Sequence, residues 1–304
     1  MKFYPEGFKG TKQNAEMSKD YLITAMEKGW VLEGTAEMLD ENKNIQVNLG
    51  NGFSGIIEFE DAADGDTSSM SYVKEVFSKV GKTVQFTVKA MTEDGIFLSR
   101  RTVQERCKRE FLDTLRKGDV INAVITSICD YGVFVDIGGG VVSLLPIANI
   151  QFSRTTEIRD IVFVGENLRV IYLGKDGEHY LLSHKEMLGT WAENAEKFKE
   201  GTAVVGVVST VEEYGIFVEL APNFVGLLET IDGIKNGDSV SVYIKRIDGY
   251  KGKVKLALVS KLNNTSAPKP YEYSEKLEWI DVDNWEYYER LSKAITIKAK
   301  KCNI

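Results

Sequence analysis

The chain repeats itself. Gly118–Pro146, GDVINAVITSICDYGVFVDIGGGVVSLLP, aligns without a gap on Gly201–Glu229, GTAVVGVVSTVEEYGIFVELAPNFVGLLE. Both copies hold Tyr-Gly-aliphatic-Phe-Val at the same place, as Tyr131–Val135 and Tyr214–Val218. A second match closes each copy, Gly165–Gly177 in the first and Gly237–Gly249 in the second. The connection inside the later copy is the shorter one, and variable length there marks a loop. A weaker copy lies upstream, from Gly29 through Val47–Gly50 and Gly55–Ile57 to Gly81–Ser99. It lacks Tyr-Gly-x-Phe and has Asn42 and Ile45 in that region. Internal repetition limits the fold more than any bulk property, because each copy must be one small unit of the same plan.

Within a copy the apolar residues alternate. Val120, Val124 and Ile128, then Val133, Val135 and Ile137, are β-branched and separated by less apolar positions. That is strand chemistry with period two. About five such runs fit in each copy, and five short strands in so small a unit favour a closed or nearly closed barrel, which hides strand edges. Between copies the period becomes helical. Val103, Cys107, Phe111 and Leu115 recur at steps of four, and Leu188, Trp191, Ala195 and Phe198 have helical spacing. The first connector is rich in Arg and Lys, which reads either as a solvated helix face or as an RNA contact. A helix is expected over about residues 14–28, stopped by Gly29. Pro268-Lys269-Pro270 reads as a stiff linker to an aromatic tail containing Tyr271, Tyr273, Trp279, Trp285, Tyr287 and Tyr288. Asp283-x-x-Glu286 resembles a helix start that would put Trp285, Tyr288, Leu291 and Ile295 on one face. The tail is expected to pack on the last barrel, with a partner-binding tail as the alternative.

The expected architecture is mainly β. An N-terminal helical segment (1–28) leads into a degenerate five-stranded barrel (29–99) and a helical connector (100–117). A second barrel (118–183), a second connector (184–200), a third barrel (201–262) and a linker with C-terminal tail (263–304) follow.

These motifs resemble a known domain. Tyr-Gly-x-Phe-Val, then Gly226-Leu227-Leu228, then Gly237-x-x-Val240-x-Val242, ending near Leu258-x-Ser260, resembles the RNA-binding domain of the bacterial ribosomal protein S1 family. The resemblance implies OB-fold barrels, and the tandem arrangement resembles the short, roughly three-domain form found in Firmicutes. It implies that Tyr131 and Phe134, and Tyr214 and Phe217, face single-stranded RNA. Stacking explains the choice, since every base has a π face and an aromatic ring holds it by about 1–3 kcal/mol. Tyr and Phe three apart lie on opposite faces of an unbulged strand, so at least one of each pair is expected outside. The family also places basic groups on the last strand. Between Lys235 and Lys261 seven basic residues face two acids, and Lys245, Arg246, Lys251, Lys253 and Lys255 are the expected phosphate track. His179 takes the place of Lys253 in the second copy. A His common in the family after Gly-Leu-Val is replaced by Glu58, Pro146 and Glu229. The first copy lacks the aromatics and sets twelve carboxylates against five lysines, which points away from RNA and towards docking on the ribosome or another protein.

Other chemistry is missing. There is no Walker loop, HExxH, GxSxG or CxxC, and Cys107, Cys129 and Cys302 suit neither a disulfide framework nor a zinc site. Gly138-Gly139-Gly140 is expected to be a turn, and Asp176-Gly177 and Asp248-Gly249 hairpin turns. No apolar run is long enough to span a membrane, and no signal segment is visible. The reading is a cytoplasmic, monomeric, non-enzymatic binder of single-stranded mRNA. It has no cofactor, metal or membrane contact, and the small ribosomal subunit is a possible partner. The alternatives are an RNA regulator off the ribosome, or a protein-interaction scaffold whose barrels bind RNA weakly or not at all.

Overall fold

The computed structural model describes residues 3–8, 17–153, 157–262, 271, 273 and 277–288. The linker at Pro268–Pro270, the start of the expected N-terminal helix, and Leu291, Ile295 and Cys302 lie outside them. The described residues form three five-stranded sheets. The first comprises β1 (Leu32–Leu39), β2 (Ile45–Gly50), β3 (Phe53–Ile57), β4 (Thr83–Thr92) and β5 (Gly95–Ser99). The second comprises β6 (Val120–Cys129), β7 (Gly132–Asp136), β8 (Val142–Pro146), β9 (Asn167–Asp176) and β10 (His179–Ser183). The third comprises β11 (Ala203–Glu212), β12 (Gly215–Ala221), β13 (Phe224–Leu228), β14 (Ser239–Asp248) and β15 (Lys253–Lys261). The first and third are closed barrels of order β1-β2-β3-β5-β4 and β11-β12-β13-β15-β14. The second has the same cyclic order, read as an open sheet β10-β9-β6-β7-β8. Its opening falls where the other two close by their short parallel pairing, Ile56↔Phe97 and Ile57↔Leu98 in one and Leu227↔Lys255 in the other. The Asp176-Gly177 hairpin forms as expected, with Gly177 left-handed at φ 57°. The later hairpin is longer, and its left-handed residue is Gly252 rather than Gly249.

The described chain divides into two compact units. One is Met1–Leu115 with Asn122–Thr126 and Val135–Ser143, and the other is Arg116–Ile121 with Ser127–Phe134 and Leu144–Ile304. In the first unit, α1 (Lys19–Lys28) starts at Ser18, whose Oγ accepts from the Tyr21 amide, and stops at left-handed Gly29. Its Leu22 and Ala25 join Leu32, Val47, Ile57, Phe86 and Leu98 in the barrel core. Each such aliphatic side chain contributes about 1.5–3 kcal/mol on leaving water. Helix α2 (Met70–Phe77) lies between β3 and β4, and α3 (Arg101–Glu110) follows β5.

Part of the basic connector has a third use, inside the fold. Arg100 is fully buried. Its Nε and Nη2 donate to the two Glu6 oxygens at 2.6 and 3.1 Å, and its Nη1 donates to Glu75 at 2.9 Å. Arg101 donates to the Ala63 carbonyl, Arg106 to that of Gly29, and Lys108 pairs with Asp64. Burial alone would raise the Glu6 carboxyl, but the Arg100 and Lys79 charges outweigh it and bring it down to about 2. Asp136, which accepts the Glu6 amide at 2.8 Å, is pushed up to about 7 by burial and by the Glu6 charge.

In the second unit, α4 (Trp191–Ala195) opens with a capping box between Thr190 and Glu193. The tail packs on more than the last barrel. Its Ile280 amide donates to Gly118, and the Val120 amide donates to Glu278, at the head of β6. Trp285 and Tyr287 stack on Phe152, and the Tyr287 carbonyl accepts from the Trp191 amide at 3.0 Å. The Asp283 helix start does not form among the described residues, where 283–284 are turn, 285–286 irregular and 287–288 bend. An open chain lets Trp285 and Tyr287, two residues apart, both reach Phe152.

His184 is buried, with Nδ1 and Nε2 each 2.8 Å from the Ile150 carbonyl and the Tyr273 hydroxyl. Burial lowers it from the usual 6.5 to about 4. The folded state prefers neutral His184, so its stability contribution is complete above pH 6.5 and is lost as pH falls through about 4. Proton NMR titration is expected to show His184 titrating near pH 4. A midpoint near 6.5 would refute the buried ring. Arg100→Met is expected to cost about 3–5 kcal/mol in urea unfolding, because it leaves Lys79 as the remaining cation on buried Glu6 and removes the partner of Glu75. Exposed Arg109→Met, the control, is expected to stay within about 0.5 kcal/mol.

Candidate nucleic-acid interface

The outer face of the third barrel follows from strand register. Directly paired residues share a face. Thr210 pairs with Phe217, Phe217 with Leu227, Leu227 with Lys255, and Lys255 with Arg246. These five residues form one row across β11, β12, β13, β15 and β14. Leu227, Lys255 and Arg246 are exposed, and Phe217 is half-buried. The flanking Ile216 and Val218 point into the core. Tyr214 stands in the β11–β12 turn, 70% exposed, and its ring meets that of Phe217 edge-on at 6.0 Å.

The two rings therefore share a side, and at least one of them, Tyr214, stands outside as expected. Tyr214 precedes the first residue of β12, Gly215, so strand alternation does not count it. The glycine between the rings has a steric cause. A Cβ on Gly215 would lie 2.7 Å from the Leu227 side chain and 2.9 Å from the Leu228 carbonyl. Gly132 meets the same constraint, 2.4 Å from the Leu145 carbonyl. The repeated Tyr-Gly-x-Phe thus records one close strand approach used twice. In the second sheet Tyr131 is likewise exposed and Phe134 half-buried, while exposed His179 opens β10 opposite Asp176.

Lys245, Arg246, Lys251, Lys253 and Lys255 are all exposed. Lys253 and Lys255 alternate with buried Val254 and Leu256, so both point outward on β15. Glu229 lies 3.8 Å from Lys245, and Asp248 lies 4.0 Å from Arg246. Exposed pairs of this kind are worth about 0–1 kcal/mol, so they tie up these cations only weakly. Lys261 instead pairs with Asp238 at 2.6 Å.

Sequence reading missed residues brought in from a distance. Tyr214 and Phe217 line a cleft of about 220 Å³ together with Thr210, Phe152, Tyr287 and Tyr288. Phe152 comes from the β8–β9 connection and is fixed by Asn223, whose Oδ1 accepts the Phe152 amide at 2.6 Å. Tyr287 and Tyr288 come from the tail. Their aromatic character was visible in the sequence, but their destination was not.

Residues 114–178 match the S1 RNA binding domain family. Small ribosomal subunit protein bS1 of Neisseria meningitidis serogroup B (strain MC58) is 28% identical over 278 residues, covering 83% of this chain and 48% of the relative. The bS1 homolog of Bacillus subtilis (strain 168) is 31% identical over 194 residues, covering 61% of this chain and 50% of the relative. The chain spans about half the length of these two relatives. A solved multidomain protein with nucleic acid binding domains from Streptococcus pneumoniae aligns over 76% of this chain and 73% of that one, at 13% identity and a TM-score of 0.26. Among the described residues, no helix is long and apolar enough to cross a membrane. With its repeated strand plan and paired ring motifs, the chain matches the S1 RNA binding domain family at residues 114–178 and is similar over most of its length to small ribosomal subunit protein bS1.

Proposed function

We propose that this protein binds single-stranded RNA, without catalysis, through the outer faces of its second and third sheets. Its role is that of an S1-like translation factor in the cytoplasm, working with mRNA and the small ribosomal subunit. The observation that carries the reading is the row on the third barrel, in which half-buried Phe217, with exposed Tyr214 beside it, leads through Leu227 to Lys255 and Arg246. Bases stack on the rings while phosphates follow the cations, an arrangement tolerant of sequence. Tyr131 and Phe134 offer a second platform, with His179 as its candidate phosphate contact. Two weak sites on one strand raise the effective concentration of each other. The carboxylate-rich first sheet, where Lys89 is already paired with Glu58 and Asp61, suits a protein or ribosomal contact better than RNA.

One observation favours a scaffold that has lost RNA, namely Glu229 beside Lys245 at the edge of the basic strand. Fluorescence anisotropy with a labelled unstructured RNA at two salt concentrations, and a duplex as control, separates the readings. Salt-sensitive binding to the single strand is expected. No binding at low salt would leave the scaffold. Tyr214→Ala with Phe217→Ala is expected to cost about 1–3 kcal/mol per base stacked, with the salt dependence unchanged. Lys253→Ala or Lys255→Ala is expected to weaken all sequences alike and to reduce the log–log salt slope by about 0.7. An unchanged slope would remove that lysine from the phosphate path.

A further inference from the structure

The geometry points to a nucleotide pocket on the third barrel whose outer wall is the C-terminal segment. One base of a single-stranded RNA inserts between the Tyr214–Phe217 rings and Tyr288, and its polar edge bonds to the hydroxyl of Thr210. This inference rests on the RNA-binding reading above and adds to it the residues that complete the site.

Three observations carry it. The first is the cleft, which Tyr287 and Tyr288 line together with Tyr214 and Phe217. At about 220 Å³ it falls below the roughly 300–1,000 Å³ of pockets for drug-sized ligands, so it fits one ring system rather than a folded ligand. The second is Thr210, which lines the same cleft and is 7% exposed. Among the described residues, its Oγ1 is the buried side-chain oxygen without a hydrogen-bond partner. A buried hydroxyl left unpaired costs free energy that a ligand's polar edge would recover. Thr210 stands beside Phe217 in the strand register, so a ring stacked on Phe217 brings its edge towards that hydroxyl.

The third observation ties the tail to the basic strand. A Cβ on Gly252 would lie 2.3 Å from the Tyr288 ring. Gly252 is left-handed, at φ 58°, and immediately precedes Lys253. Tyr288 is therefore seated on the hairpin from which Lys253 and Lys255 run outward. A base in the cleft would have its phosphates next to those lysines. A neutral protein side chain in the same place would bring nothing for them to bind, whereas every nucleotide carries a phosphate, which favours a nucleotide as the occupant.

The test uses the full chain and a fluorescein-labelled oligouridylate, with affinity and salt slope read by anisotropy. Tyr288→Ala is expected to weaken binding about fivefold or more at an unchanged salt slope, and Tyr288→Phe to restore it, because stacking needs the ring and not the hydroxyl. Thr210→Val keeps the side-chain shape and removes the hydroxyl, and it is expected to weaken binding about two- to tenfold. It is also expected to leave thermal stability of the free protein unchanged or higher, which separates a lost contact from a damaged fold. If Tyr214→Ala with Phe217→Ala abolishes binding while Tyr288→Ala and Thr210→Val do not weaken it, the pocket is refuted and the RNA reading stands. Tighter binding by Tyr288→Ala would make the tail a cover over the rings and refute the wall. If none of the variants changes binding, the RNA reading of this barrel fails and the pocket falls with it.

Discussion

A buried carboxamide holds the second unit in the arrangement on which its interface depends. Asn223 is fully buried in the two-residue turn between β12 and β13, at φ 63°, a conformation that Asn tolerates better than most residues. Its Oδ1 accepts the amide of Phe152, its Nδ2 donates to the carbonyl of Lys185, and its own carbonyl accepts from the Tyr287 hydroxyl. Three segments far apart in sequence thus meet at one residue. Without those bonds the amide of Phe152 and the carbonyl of Lys185 would be left unpaired where water is scarce, a cost of about 1–3 kcal/mol for each group. Phe152, so fixed, is the platform on which Trp285 and Tyr287 lie. Glu219, held by Ser153 at 2.7 Å, closes the same junction.

Much of this was legible in the chain, for a reason visible in particular residues. The repeated Tyr-Gly-x-Phe-Val reports a local constraint, the approach of β12 to β13 that excludes a Cβ at Gly215. Local constraints leave local signatures, so the five-stranded plan and the exposed rings could be read directly. Gly29 as a helix stop and Gly177 as a hairpin turn are of the same kind. Tyr214 lies in the turn before β12, so strand alternation sets no face for it.

What stayed hidden depends on partners distant in sequence. The basic connector shows its charge but not its acceptors. Arg100 finds Glu6 and Glu75, and Arg101 finds backbone carbonyls, so part of a run that looked available is consumed inside its own unit. Thr210 looks like an ordinary strand threonine until Phe217 stands beside it. The opening of the second sheet is also non-local. Its closure would require the short parallel pairing that supplies only one or two residue pairs in the other two barrels, and the long β8–β9 connection begins at that edge.

The docking of the tail has a consequence in time. Chains fold domain by domain as they are synthesised, starting from the N-terminal side. The third barrel has all its strands once Lys261 has emerged, and its two stacking rings are then already in place. The wall formed by Tyr287 and Tyr288 arrives later, after the stretch that crosses the head of β6 at Trp279 and Ile280. For that interval the barrel is a finished fold whose cleft still lacks one wall. A nascent chain can therefore complete its strands before Tyr287 and Tyr288 reach the cleft, and the aromatic segment sets when that happens.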